Sequence, residues 1–398
     1  LDQYSIVGKN KVKMWVEREF FYVIKFDKPY IDIEELQPQE GEKAKRLLLS
    51  FDLKPGENVQ VKVGLSTVSI EGAQEALEKE NPDWNFEKVK AQSAEACNNL
   101  LSRIDVSGTE EQKVNFYTSI YHLCIQPNNI TDVDGRYRGP NDSILYSPIG
   151  EYYSTLSLWD TYRAAHPLYT LLVPEKVNGF VNSMLSHCDT QGYLPIWALW
   201  GKENHCMIGN HAIPVIVDAY LKGYKGFDPE RAYEAIRKSS LESHPKSDWE
   251  TYNQYGYYPF DLIPEESVSR TLESCYDDYC VAQMAKELGK KEDYNFFSKR
   301  ARAYTSLFDP VTKLMRGKDS QGKWREPFDP FRLSHAGTSG GDYTEGNAWQ
   351  YVWHVQHDVD SLIEMMGGNK AFTAKLDSLF WLENNTVNTG FVSDVTGL

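Results

Sequence analysis

The apolar positions of the first 70 residues recur at every second position, which is typical of β-strands. Residues 20–26 carry Phe, Tyr, Ile and Phe in this alternation, and residues 47–53 and 59–65 repeat it on either side of Pro55-Gly56. We predict that the last two segments pair as a β-hairpin around that turn. Because two or three strands are not stable alone, we expect a β-domain whose earlier strands precede Leu1.

From about residue 72 the apolar spacing becomes helical. Residues 72–101 are charged and amphipathic, residues 109–112 have the sequence of a capping box, and apolar residues recur at intervals of three and four over 208–219 and 268–282. Asp228-Pro229 has the sequence of a helix start. The loops between these helices are long and rich in glycine and aromatic residues, whereas helical bundles have loops of about 2–8 residues. The pattern favours an (α/α) toroid.

Composition narrows the class of protein. A net charge of −15 argues against nucleic-acid binding, and the sequence has neither a Walker loop nor a GxGxxG motif. It has no apolar run of about 18 residues, so we predict no membrane span. The six cysteines form no CxxC pair, and we expect mostly free thiols. An aromatic content of 13% leaves two interpretations open, sugar stacking or ordinary packing.

Three segments carry candidate chemistry, and the first is Ser157-Leu-Trp-Asp160-Thr-Tyr-Arg163. Ser157 and Asp160 have the spacing of a capping box, which would make them structural and leave Trp159 simply packed. The functional alternative is that Asp160 and Arg163 share one face of the first helical turn. There they would hold neighbouring hydroxyl groups of a sugar.

The second segment is the loop of residues 192–211, which places two tryptophans, a glutamate and two histidines just before a helix. A loop backbone is hard to bury, so we interpret these side chains as the lining of a pocket rather than as core. The spacing of the histidines and of the cysteine between them matches no standard zinc pattern, and we predict no metal there.

The third segment leads into the last predicted helix. Asn347 and the glutamine three residues later have the spacing of a capping box, but this does not explain Glu345. Glu345 is expected to lie among the rings of Tyr343, Trp349 and Trp353. Apolar rings desolvate a carboxylate and raise its pKa, which suits a general acid that protonates a glycosidic oxygen. The alternative is a solvated loop glutamate.

Together the three segments resemble the signature blocks of glycoside hydrolase family 92, which are bacterial exo-acting α-mannosidases. The resemblance runs in collinear order from about residue 1 to the last residue. Its most specific block is EGNAWQYVW, residues 345–353.

The resemblance implies a multi-domain fold of β and α parts. It implies the C-terminal part of a β-sandwich followed by an (α/α)₆ toroid that is incomplete at its C-terminal end. The corresponding segments are a partial β-sandwich domain at 1–70, linker helices at 71–106 and a catalytic domain at 107–398.

The resemblance also implies a calcium-dependent, inverting exo-α-mannosidase that hydrolyses terminal α-mannosides of glycans, with α-1,2 linkages as the expected substrates. Glu345 matches the family's general acid. The residues expected to bind the substrate are Trp159, Asp160, Arg163, Trp197, Trp200, Glu203, His205, Gln350 and Trp353.

The sequence departs from the family pattern by lacking the blocks that supply the base aspartate and important residues for calcium and the leaving sugar. We therefore expect a chain truncated at both ends, whose metal ligands are unknown. Asp342 is too close in sequence to Glu345 to be assigned as the base.

Other functions stay open at this stage. Within enzymes, the alternatives are an inverting α-glucosidase or a polysaccharide lyase on the same toroid. Outside enzymes, the alternative is a sugar-binding fragment without turnover. The family implies an exported protein, periplasmic, secreted or surface-bound, whose signal is not present in this chain.

Overall fold

A computed structural model describes residues 2–37, 39, 41, 44–334 and 341–382 of the protein. The chain forms two compact units. The first comprises Leu1–Leu156, Leu171–Ser183 and Ala198–Asn204, and the second comprises Ser157–Thr170, Met184–Trp197 and His205–Leu398. Among the described residues no helix is long and apolar enough to cross a membrane.

The described N-terminal part of the chain consists of five strands, then three helices, then four short strands. In order, its elements are β1 (Ser5–Lys13), β2 (Glu17–Phe26), β3 (Asp32–Leu36), β4 (Arg46–Ser50), β5 (Val61–Ser66), α1 (Ile70–Glu80), α2 (Phe86–Leu101), α3 (Glu110–Leu123), β6 (Asn128–Asn129), β7 (Arg136–Arg138), β8 (Ile144–Tyr146) and β9 (Tyr153–Ser154).

The three predicted strands are confirmed, but the predicted hairpin between the second and third is wrong. Strand β5 pairs with β2, with Val63 opposite Ile24, and the sheet has the order β1-β2-β5. Strand β4 pairs instead with β3, with Leu49 opposite Ile33. Alternation identifies a strand but not its partner, and the glutamate-rich β3 lacks the apolar alternation that would have predicted it.

Helix α1 covers one face of this sheet. Its Ala73 and Leu77 form a small buried cluster with Val23 of β2. The close approach requires glycine at position 64, because a Cβ there would lie 2.1 Å from the backbone oxygen of Ala73. Helix α1, inside the predicted linker, is therefore an integral part of the sheet's packing.

The opposite face of β5 is apolar and exposed. Val61, Val63 and Leu65 point to this side of the strand, and they are 54%, 55% and 64% exposed. The alternation that predicted the strand thus identifies a face that the described residues leave uncovered.

The chain then continues mainly as helices. Its elements are β10 (Leu156–Ser157), α4 (Leu158–Thr161), α5 (Ala165–Leu172), α6 (Pro174–Gln191), β11 (Trp197–Leu199), β12 (Lys202–Glu203), α7 (Ala212–Leu221), α8 (Pro229–Leu241), α9 (Trp249–Tyr255), α10 (Ser267–Glu287), α11 (Lys291–Arg300), a 3₁₀ helix (Ala303–Ser306), β13 (Phe308–Asp309), β14 (Leu314–Met315), α12 (Ala348–Tyr351), α13 (Val359–Met366) and α14 (Asn369–Trp381).

The helical periodicities are largely confirmed. Thr109 starts α3 with a complete capping box, and the Asp228 side chain caps α8. Helix α7 begins four residues after the predicted start at Ile208. All six cysteines are free thiols, as expected. The boundaries predicted at residues 70 and 106 do not coincide with the division into two units, and the three-domain division stays a prediction about the whole protein.

Helix α10 is the centre of the second unit. Most of its residues are buried, and Val268, Leu272 and Cys275 belong to its main apolar cluster. The same helix buries the carboxylate of Asp278, which forms two hydrogen bonds with the Arg300 guanidinium, at 2.7 Å from Nε and 2.6 Å from a terminal nitrogen. Arg300 also donates to the carbonyl of Ser240.

We predict that Arg300→Met lowers the free energy of unfolding by about 3–5 kcal/mol, because it leaves Asp278 charged and buried without its partner. Denaturant unfolding followed by circular dichroism measures this loss. The double variant Asp278→Asn/Arg300→Met should recover part of it, since neither charge remains. A loss below about 1 kcal/mol, typical of an exposed pair, would contradict the prediction.

Candidate functional site

The second unit contains a cavity of about 550 Å³. Charged, amide and aromatic side chains line it together with a few apolar ones. The lining residues are Trp159, Tyr162, Arg163, Pro167, Pro214, Val215, Asp218, Tyr276, Thr344, Glu345, Gln350, Tyr351, Trp353, His354 and Gln356. Both its volume and its mixture of rings with a few polar groups are typical of a small-molecule site.

Glu345 lies on the cavity wall in an unusual backbone conformation. Its φ of +46° falls in the left-handed region, which residues with a side chain rarely adopt. Next to it, the Thr344 amide donates to the Ser269 hydroxyl at 2.8 Å, and the Thr344 hydroxyl donates to Glu266 at 3.0 Å. The first turn of α10 therefore holds the loop, and backbone strain of this kind is common at functional sites.

Asp342 serves as a second anchor of this loop. Its buried carboxylate accepts from the Ser267 hydroxyl at 2.9 Å and from Arg325 Nε at 2.7 Å. Its carbonyl accepts the backbone amides of Val268 and Ser269 at the start of α10. Every one of these contacts is structural. Gly340, the first residue of the predicted segment, lies outside the described residues.

The predicted wall around Glu345 is only partly right. Trp353 lines the cavity, but Tyr343 is buried in the core, where its hydroxyl donates to the carbonyl of Met315. Trp349 stacks against Phe331, with ring centroids 6.1 Å apart. Gln350 both lines the cavity and completes the capping box with Asn347, so its structural and proposed binding roles coexist.

Trp159 and Arg163 also line the cavity, as predicted for substrate contacts. The Arg163 guanidinium lies 4.8 Å from the Trp159 ring centroid and equally far from that of Tyr162. Asp160 is exposed and accepts a hydrogen bond from Ser157, and it is not one of the described residues that line the cavity. Ser157 precedes α4 without capping it through its side chain.

The other predicted contacts belong to the loop of residues 192–211. In the second unit, Trp197 is half-buried, and His205 Nε2 lies 2.5 Å from the Tyr193 hydroxyl. Burial raises the pKa of the adjacent Cys206 thiol, and the carboxylates of Glu345 and Asp160 raise it further.

Two predicted contacts, Trp200 and Glu203, lie in the first unit. The Trp200 ring meets that of Phe20 edge to face at 5.2 Å, and its carbonyl accepts from the buried Arg18. The Glu203 carboxylate is largely buried and accepts from the amide of Asn204.

Sequence reasoning missed a buried polar cluster behind the cavity. Glu273 of α10 is fully buried, and its carboxylate contacts Trp159, Arg163, His211 and His354. Asp277, one turn further along α10, contacts the other ring nitrogen of His211. A signal was present in the sequence, because the acids at positions 273 and 277, four residues apart, share one face of the helix that the apolar positions Val268, Leu272 and Cys275 predict.

The expected calcium ion has no complete site in the described part of the chain. No group of three or more His, Cys, Asp or Glu side chains there is arranged to hold a metal ion. The side chains described here do not fit a calcium cage, and calcium binding stays a prediction for the whole protein.

The strain at Glu345 predicts that Glu345→Gly is more stable than Glu345→Ala by about 1 kcal/mol, because glycine occupies left-handed backbone without cost. Both variants lack the carboxylate, so their difference isolates the backbone term. Thermal or denaturant unfolding measures it. The same pair at Glu234, an exposed position within α8, should give the opposite order, and equal stability of the two position-345 variants would contradict the strain.

This chain is similar to known glycoside hydrolases. The model of the glycosyl hydrolase family 92 catalytic domain matches residues 72–396. A secreted glycosidase of Arthroderma benhamiae is 28% identical, in a match covering 81% of this chain and 42% of the relative.

Solved structures give the same result. A family GH92 α-mannosidase from Bacteroides thetaiotaomicron, solved in complex with mannoimidazole, is 37% identical with a TM-score of 0.90, covering 97% of this chain and 53% of its own. An inverting GH92 mannosidase from the same organism is 29% identical with a TM-score of 0.86, covering 98% and 55%. The chain thus spans about half the length of these relatives and shares the fold of the part that it covers. It belongs to glycosyl hydrolase family 92.

Proposed function

We propose that the whole protein is an inverting exo-α-mannosidase and that Glu345 is its general acid. The observation that carries this proposal is the Glu345 carboxylate on the wall of a cavity lined by Trp159, Arg163 and Trp353. Protonation of a glycosidic oxygen requires a carboxylic acid in such a pocket, with rings to pack against the sugar. Family membership and the two mannosidase relatives support mannose as the sugar.

In this proposal the cavity residues have separate roles. Arg163 and Gln350 donate hydrogen bonds to sugar hydroxyls, and the rings of Trp159 and Trp353 pack against the pyranose. Glu345 gives its proton to the leaving oxygen. Water attacks from the opposite face with the help of a second carboxylate, which inverting enzymes hold about 6.5–9.5 Å from the acid.

The remaining predicted contacts are Asp160, Trp197, Trp200, Glu203 and His205. We propose them as substrate contacts on the strength of the family resemblance. We assign no described carboxylate as the base. Asp342 is excluded from that role because its oxygens are occupied by Ser267 and Arg325.

We also propose that the whole protein combines a β-sandwich with an (α/α)₆ toroid. The exposed apolar side chains of β5 support the first part, because a second sheet packed on them would remove them from water. Export is proposed because a relative is described as secreted. Calcium dependence is proposed from the family, with no step derived through the ion, and chelation of the whole protein tests it.

The general-acid role predicts that Glu345→Gln in the whole protein lowers kcat for an α-linked mannobiose by about 10²–10⁴-fold, since no proton is supplied to the leaving sugar. A dinitrophenyl α-mannoside, whose leaving group needs no proton, should lose far less. Proton NMR of the reaction measures both rates and shows which anomer forms first. Inversion requires β-mannose.

Two results would contradict the assignment. Equal losses on the two substrates would remove Glu345 from proton donation, and unchanged hydrolysis would remove it from the site. Glu234→Gln, an exposed change in α8, serves as the control and should behave as wild type. Mannose binding by calorimetry without any hydrolysis would instead favour the sugar-binding alternative. Turnover of glucosides or of uronic-acid polymers would favour the other toroid enzymes.

A further inference from the structure

The carboxylate of Glu273 is enclosed by four side chains. One oxygen accepts from the Trp159 indole nitrogen at 3.1 Å and from an Arg163 nitrogen at 3.4 Å. The other oxygen lies 2.8 Å from His211 Nε2 and 3.1 Å from His354 Nε2. Neither of these last two contacts has the geometry of a hydrogen bond, and each is an ion pair only when its imidazole is protonated.

The partners of Glu273 are themselves the wall of the cavity. Trp159, Arg163 and His354 all line it. The fourth partner, His211, is fully buried, and its ring stacks on Tyr162, another lining residue, with centroids 4.1 Å apart. Glu273 therefore contacts lining residues from two distant parts of the sequence, Trp159 and Arg163 in one and His354 in the other.

The acidic and imidazole side chains of this cluster interact electrostatically with one another inside the protein. The groups that contact His211 are Glu273 and Asp277 of α10 and the ring of Tyr162, the residue after α4. Burial lowers the pKa of His211, but the charges of Asp277 and Glu273 outweigh burial and raise it to about 9. Burial likewise raises the pKa of Glu273, but the imidazoles of His354 and His211 hold it well below its usual range.

We infer that Glu273 is the positioning residue of the sugar-binding wall, holding Trp159, Arg163 and His354 in place together with the buried ring of His211. This inference rests on the proposed function for the identity of the sugar. The physical reason is that a buried carboxylate must keep its compensating partners, so it fixes the positions of every group that pairs with it. Glu273 itself does not touch the substrate.

A purely structural role for Glu273 is the competing explanation, and the test must separate the two. Glu273→Gln keeps the shape of the side chain and removes its charge. Asp278→Asn makes the same change five residues later in the same helix, where the partner is Arg300 and not a cavity residue. The pair is therefore matched for loss of a buried charge and differs in contact with the wall.

In the whole protein we expect Glu273→Gln to lower kcat/KM for the α-linked mannobiose on the order of 10²-fold, because misplaced binding groups cost that much. The loss should appear mainly as a raised KM, since Trp159 and Arg163 hold the sugar both before and during the reaction. Asp278→Asn should leave KM unchanged at a temperature where circular dichroism shows it folded. Glu345→Gln, in contrast, lowers kcat.

A spectroscopic readout accompanies the kinetics. Carbon-13 labelling of histidine Cε1 follows the titration of His211, whose signal is assigned with a His211→Asn variant. The midpoint should lie near 9 in the wild type and in Asp278→Asn, and it should fall in Glu273→Gln because one of the two flanking charges is gone.

The inference is overturned if Glu273→Gln leaves both KM and the His211 midpoint unchanged, or if Asp278→Asn alters them equally. Should Glu273→Gln fail to fold, Trp159→Phe removes the indole donor together with part of the ring that lines the cavity, and an unchanged KM in that variant overturns the inference as well. Should the whole protein not hydrolyse mannosides, the proposed function fails, and calorimetry of mannose binding decides the role of Glu273, since Glu273→Gln should weaken that binding and Asp278→Asn should not.

Discussion

Each acidic side chain that α10 buries needs a compensating partner, because a buried carboxylate without one costs several kcal/mol. Glu273, Asp277 and Asp278 lie within two turns of this helix, and their partners come from segments far away in sequence. Arg300 comes from the next helix, whereas His211 comes from the loop before α7. The charges of one helix thus influence where the segments around it lie, and the segments 159–167 and 344–356, which supply partners of Glu273, line the cavity together with α7 and α10.

The N-terminal end of the same helix performs a second task. Its first turn and the residue before it contact the loop of residues 341–346 through Ser267, Ser269 and Glu266, so the loop that carries Glu345 is held against α10. Helix α10 therefore positions both the loop of Glu345 and side chains that line the cavity. A single rigid element of this kind can hold reacting groups in a productive geometry. That economy also means that damage to α10 would affect the proposed acid and the binding residues together.

Local chemistry in the sequence was sufficient for the elements and for part of the site. The alternation around Ile24 and Val63 identified strands, the capping residues Thr109 and Asp228 identified helix starts, and Glu345 stood out because the capping box beside it did not explain it. Pairing partners were not accessible, since β3, the partner of β4, lacks the apolar alternation by which β4 was identified as a strand. Glu273 was also missed, because the role of a single acid in a helix depends on partners that are distant in sequence. Trp349 was expected beside Glu345 but stacks on Phe331 instead, a contact between residues 18 positions apart that the sequence pattern does not indicate.

The left-handed backbone of Glu345 has a practical consequence for capturing a complex. Every replacement that retains a side chain must occupy the same uncommon conformation, so a glutamine there inherits the native path of the loop and the native strain. Such a variant would present an almost unaltered surface to an intact oligosaccharide while withholding the proton. It is therefore the natural choice for soaking substrate into crystals of the whole protein.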